Sequence, residues 1–214
     1  IKDGNYTRSD IYHAIMHSLY LNNTNKHIWI EKTQLNWTKT FQFLKNRKNR
    51  KVILVYRDPR SVLASFKNYT NAPKPGYISA IFNSLSFFQT LTALSSNIEI
   101  SRNICAVKYE DIIKNPIQYR RNIFKFLDVN YQELNEKDWI DYDGSSWSQN
   151  TTQDVETIKK DPIKLIDSWK KILNNNEIAF CQEILKDYLE KYQYDLSPVE
   201  SIDLDFIESF KKHT

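Results

Sequence analysis

Five consecutive apolar residues, Val52-Ile-Leu-Val-Tyr56, run straight into the charged turn Arg57-Asp58-Pro59. A short run rich in β-branched and aromatic side chains, with no polar alternation, predicts a strand buried on both faces, as in a parallel sheet. The turn predicts how the chain leaves that strand. Asp58 suits the N-cap of a helix and Pro59 its first turn. In an open α/β sheet, strand, charged turn and helix make an anion site at the carboxyl end of the strand.

The remaining chain continues the alternation. Ile11, Ile15 and Leu19, with Tyr12 and Met16, predict a helix over 7–21. His27-Ile-Trp-Ile30 predicts a short buried strand, and Trp37–Asn46 a helix with Phe41 and Leu44 facing inward. The helix after Arg57 should reach about Asn68, and Ala72-Pro-Lys-Pro-Gly76 should form a loop. A long helix is expected over Tyr77–Ser95, with Ile78, Ile81, Phe82, Leu85, Phe88 and Leu91 as a core stripe. Ile104–Val107 reads as another buried strand ending in Lys108-Tyr109-Glu110-Asp111, and Asn115-Pro116 opens a helix carrying Ile123, Phe124, Phe126 and Leu127. Residues 128–160 are polar and irregular. Helices over Pro162–Leu173 and Glu177–Tyr192 follow, and the tail should dock through Leu204, Phe206, Ile207 and Phe210. The order of elements predicts an α/β fold of three layers, a central parallel sheet flanked by helices.

With 214 residues, 41% of them hydrophobic, the chain suffices for one globular domain with its own core, 1–214. The net charge of +4 is unevenly spread. Eight Lys or Arg lie between Lys39 and Arg60 against the single acid Asp58, whereas Asp195–Glu208 holds five acids and no base. A basic cluster around the strand and turn suits a phosphate- or sulfate-bearing ligand, and equally a solvated surface. It leads directly into an apolar strand, which argues against a nucleic-acid partner. Cys105 and Cys181 show no metal or redox spacing. His13 and His17 stand at i, i+4 without the glutamate or third ligand of a zinc motif, so no metal is expected. No apolar run approaches the ~20 residues of a membrane span. Without a secretory signal, a cytoplasmic protein (bacterial, viral or cytosolic) is expected; the Golgi lumen is the alternative if an anchor precedes Ile1.

Three segments resemble the sulfotransferases that use 3′-phosphoadenosine 5′-phosphosulfate (PAPS). Val52–Ser65 resembles that family's 3′-phosphate motif, a hydrophobic strand followed by R-D-P-R-x-V-x-x-S. Val107-Lys-Tyr-Glu-Asp-Ile-Ile-Lys-Asn-Pro116 is similar to its Y-E-D-L-x-x-x-P segment. Ser168-Trp-Lys-Lys-Ile-Leu173, with Asn176-Glu-Ile-Ala179, is similar to its W-(R/K)-x-x-L closing helix. The resemblance covers roughly Trp29 to Tyr194. It implies the P-loop nucleotide-kinase-like sulfotransferase fold and an enzyme that moves a sulfuryl group from PAPS, leaving PAP. The acceptor would be a hydroxyl or amine of a carbohydrate, peptide or small molecule.

Residue by residue, the resemblance implies that Arg57 and Ser65 contact the 3′-phosphate, Arg57 through a forked pair of charge-assisted hydrogen bonds. Asp58 and Arg60 are expected to be structural, capping the helix or pairing with each other. In Gly144-Ser-Ser-Trp-Ser148, Ser146 and Trp147 would hold and stack on the adenine; Tyr109 would border it, and Lys159 or Lys160 would reach a donor phosphate. Glu31-Lys32-Thr33-Gln34 resembles the family's K-T segment, which makes Lys32 the candidate for stabilising charge at the bridging oxygen. Gln34 departs from the family's histidine and takes no proton, so Glu31 and His27 are the candidate bases. The glycine loop that cradles the 5′-phosphosulfate finds no counterpart in Gly4, Gly76 or Gly144, and is expected upstream of Ile1. Two other readings share these features: a non-catalytic descendant binding nucleotide or sulfated glycan, and another nucleotide-dependent transferase such as a kinase.

Overall fold

The computed structural model describes residues 36–45, 49–69, 76–131 and 166–199 continuously, together with positions 10, 11, 14, 15, 18, 28, 30–32, 163, 202, 203, 205, 206 and 208. The chain forms two compact units, 1–35 and 36–214. In the first, Asp10, Ile11, Ala14, Ile15 and Ser18 are helical, within the helix expected over 7–21. The strand expected at His27–Ile30 is not seen at its described positions. Ile28 and Ile30 lie outside any strand and are exposed, Ile30 at 83%. Three apolar residues in a row supply too few ladder hydrogen bonds to define a strand without a paired neighbour.

The second unit opens with a 3₁₀ turn, Asn36–Lys39, that continues into α1, Thr40–Leu44. Its inward positions are Thr40 and Leu44, four apart, so Phe41 faces outward, contrary to expectation. β1 is Val52–Tyr56 and β2 is Ile104–Lys108. The strands pair in parallel, Val52 with Ile104 and Tyr56 with Lys108. Between them run α2, Pro59–Tyr69, a 3₁₀ turn at Gly76–Ile78, the long α3, Ser79–Ser96, and the short α4, Ile98–Ser101. After β2 come α5, Tyr109–Lys114, and α6, Pro116–Leu127. The fold closes with α7, Trp169–Ile172, and α8, Asn175–Lys191. The result is a parallel sheet flanked by helices, as predicted. The helix α5 was not foreseen: Tyr109–Lys114 forms one turn and a half between the strand and Pro116.

Alternation along β1 turns Val52, Leu54 and Tyr56 to the core shared by α2, α3, α7 and α8. Leu63, Ile81, Phe88, Leu91 and Leu185 form its centre, each at most 1% exposed. The expected burial of both strand faces holds only in part, because Val55 is 50% exposed. Val55 points to the face opposite Leu54, which the described residues cover less fully than the core face.

A buried carboxylate ties the closing helix to the core. Asn174 and Glu177 form a reciprocal capping box at the start of α8. The Glu177 carboxylate also accepts from Lys67 Nζ at 2.7 Å and from the Tyr77 hydroxyl. Further along, Phe206 packs on Phe180, so the tail docks through this residue as expected. Leu204, Ile207 and Phe210 lie outside the described residues.

Candidate active site

Parallel pairing brings the carboxyl ends of β1 and β2 to one edge. Since Tyr56 pairs with Lys108, the next residues, Arg57 and Tyr109, leave the sheet side by side. The Arg57 guanidinium lies over the Tyr109 ring, 4.7 Å from its centroid. This is a cation–π contact, the cation placed over the negative face of the ring. Arg57 Nε is buried and has no hydrogen-bond partner. A buried donor left unmatched by protein costs about 1–3 kcal/mol, and more when the group is charged. Arg57 thus lies over the Tyr109 ring with its buried Nε unmatched.

The next residue is fully committed. Asp58 Oδ1 accepts from the backbone N–H of Arg60 at 2.8 Å, the N-cap arrangement expected two residues before a helical N–H. Pro59 fills the first helical position of α2. The Arg60 side chain returns to the same carboxylate, Nε to Oδ1 at 3.0 Å and a terminal nitrogen to Oδ2 at 2.8 Å. Its other terminal nitrogen donates to Gln182 Oε1 at 2.9 Å and to the Asp195 carbonyl at 2.8 Å. Below it, Trp169 presents its face 4.1 Å from the guanidinium carbon. Both expected roles of Asp58 and Arg60, capping and mutual pairing, are seen together. The tryptophan of the closing segment serves as the floor for Arg60.

Glu110 joins the two strand ends. Its Oε1 accepts from the Asp58 backbone N–H at 2.9 Å, and its Oε2 from the Tyr194 hydroxyl at 3.1 Å. Tyr194 is buried, and its phenol is pushed well above the usual tyrosine range, first by burial and then by the adjacent Glu110 carboxylate. Lys108 Nζ lies 3.9 Å from the Tyr194 ring centroid and donates to the Tyr192 carbonyl at 3.0 Å. Neither Tyr194 nor Gln182 carried any signal in the sequence. Glu110 stood within a recognised motif, but its partner is set by the fold.

The structure brings Arg57 and Tyr109 together. Ser65 is half-buried on α2, beyond the capped first turn, and no hydrogen bond to a described residue engages its hydroxyl. Glu31 and Lys32 are exposed and belong to the first unit. His27, Ser146, Trp147, Lys159 and Lys160 lie outside the described residues, as do His13 and His17. Among the described residues no group of His, Cys, Asp or Glu is arranged to hold a metal, and no helix is long and apolar enough to cross a membrane. Cys105 and Cys181 are both free; burial raises the pKa of each thiol.

A family model described as the sulfotransferase family matches residues 2–133, more than half of the 214 residues. The chain belongs to the sulfotransferase family. Two solved structures share its fold. The sulfotransferase domain from the curacin biosynthetic pathway superposes with a TM-score of 0.59 at 20% identity, over 87% of this chain and 68% of that domain. The sulfotransferase domain from the Synechococcus PCC 7002 olefin synthase gives 0.62 at 21% identity, over 88% and 65%. This sulfotransferase-family chain therefore spans about two thirds of the length of either domain. A comparison with curated proteins found no match.

Proposed function

We propose that this sulfotransferase-family chain takes PAPS as its donor, with the 3′-phosphate at the carboxyl end of β1. The observation that carries this reading is Arg57, a stacked guanidinium with a buried Nε and no protein partner. A phosphate oxygen is the acceptor such a fork matches, and the pairing is bidentate. A charged donor aimed at an anion also needs no nearby carboxylate competing for it. Asp58 is tied to Arg60, Glu110 to the Asp58 N–H and Tyr194, and Asp111 to the Tyr119 hydroxyl, so the carboxylates of these two motifs are already engaged. Ser65 supplies a hydroxyl on the same helix that Asp58 caps. Tyr109 would hold the guanidinium flat at the edge of the nucleotide.

When bound, the donor supplies an activated sulfuryl group for transfer to a hydroxyl or amine of a carbohydrate, peptide or small molecule. Within the chain, Lys32 is the group proposed to neutralise charge on the bridging oxygen, and Glu31 or His27 the group proposed to take the acceptor proton. Ser146 and Trp147 are proposed to hold the adenine, and Lys159 or Lys160 a phosphate. No metal enters this chemistry.

Calorimetry with PAP tests the donor assignment. Wild-type protein should bind it, and Arg57→Ala should weaken binding roughly ten- to a hundredfold, the equivalent of charge-assisted bonds worth about 1.5–3 kcal/mol. Binding indifferent to Arg57 would refute the reading. Transfer of radiolabelled sulfate from PAPS to a panel of acceptors separates an enzyme from a descendant that only binds.

A further inference from the structure

We propose that Tyr194, acting through Glu110, is a positioning residue that sets the direction in which Arg57 leaves the sheet; the inference rests on the donor reading above. The route is short and runs through rigid parts. The Asp58 N–H belongs to the peptide unit that follows Arg57. That unit is planar, so holding the N–H holds ψ of Arg57 and with it the backbone from which the guanidinium departs. Glu110 Oε1 holds that N–H at 2.9 Å. The residue before Glu110 is Tyr109, whose ring carries the guanidinium. Two adjacent cross-links therefore join the strand ends, one from a stacked cation and one from a carboxylate.

The carboxylate has two oxygens, and the second is fixed from the far end of the chain. The Tyr194 hydroxyl donates to Glu110 Oε2 at 3.1 Å. Tyr194 itself has little freedom. It is 8% exposed, and its backbone N–H bonds to the Leu189 carbonyl at 2.7 Å across the end of α8. That bond is closed by Gln193 in the left-handed region at φ 56°. Lys108 and Arg60 fasten the same segment through the Tyr192 and Asp195 carbonyls. The exit of α8 is thus strapped to both strand ends. Without the hydroxyl, Glu110 Oε2 has no donor in a buried place, and the carboxylate reorients to serve it at the expense of the Asp58 bond.

The test compares PAP with adenosine 5′-phosphate, which lacks only the 3′-phosphate. Tyr194→Phe removes one oxygen and keeps the ring that packs in the core and carries Lys108. It should weaken PAP binding by about three- to tenfold, the worth of one buried hydrogen bond, while adenosine 5′-phosphate binds as in wild type. Glu110→Gln, the second variant, should reduce the same ratio. A role confined to folding would lower the melting temperature and leave the ratio of the two affinities unchanged; a wild-type ratio in both variants overturns the inference. Wild-type protein that does not distinguish the two nucleotides would instead overturn the donor reading.

Discussion

Replacing Arg60 with methionine should be among the most damaging single changes to this fold. Arg60 is 2% exposed, although it follows a proline at the start of a helix. It satisfies both oxygens of Asp58, reaches Gln182 and the Asp195 carbonyl, and lies over the Trp169 ring. Methionine fills much of the volume but leaves the Asp58 carboxylate, with 8% of its side chain exposed, holding only the backbone N–H of residue 60. Breaking a buried ion pair from one side costs about 3–5 kcal/mol, because the remaining charge is uncompensated. For a protein of this length each kcal/mol lowers the melting temperature by about 2–4 °C, so a fall of roughly 6–20 °C is expected. Circular dichroism on heating measures it. A second substitution sharpens the reasoning: Asp58→Asn in the Arg60→Met background removes the stranded charge yet keeps a side-chain oxygen for the N-cap. The double variant should therefore be more stable than Arg60→Met alone. An Arg60→Met protein that melts within about 2 °C of wild type, or a double variant no better than the single one, would refute this account of the pair.

Two further expectations concern stability. Tyr56, Tyr77, Tyr192 and Tyr194 are all raised above the ordinary tyrosine pKa of 10.0, each chiefly by burial. The unfolded chain therefore loses phenol protons first, so stability is fully present below about pH 10 and falls as the pH rises above it. Urea midpoints measured between about pH 8 and 11 should decline only at the alkaline end, and Tyr77→Phe should flatten the decline. At the end of α8, Gln193 occupies the left-handed region at φ 56°, where a Cβ costs about 1–2 kcal/mol. Allowing for the extra freedom of glycine in the unfolded chain, Gln193→Gly should raise the melting temperature by about 1–4 °C, and Gln193→Val should lower it.

What could be read from the sequence was local. An unbroken apolar run, an Asp-Pro pair and a 3.6-residue stripe each act over a few residues, and they led to β1, the cap of α2 and α3 nearly to the residue. The Asp58–Arg60 pair was foreseeable for the same reason, its members lying two apart. Local pattern failed where a partner was needed. Ile28 and Ile30 look like a strand, and Phe41 looks like an inward helix face, but burial depends on what lies opposite. The residues that finish the Arg57 turn lie far from it in sequence. Gln182 meets Arg60 across 122 positions, and Tyr194 meets Glu110 across 84. No spacing rule reaches so far, because these contacts exist only once parallel pairing has aligned the strand ends and α8 has delivered its exit segment against them. The sequence alone determined an arginine at the end of a strand and its membership of a recognisable motif. The tertiary structure decided that the arginine is stacked, unpaired and held from behind, since hydrogen-bond partners are assigned by packing and not by order along the chain.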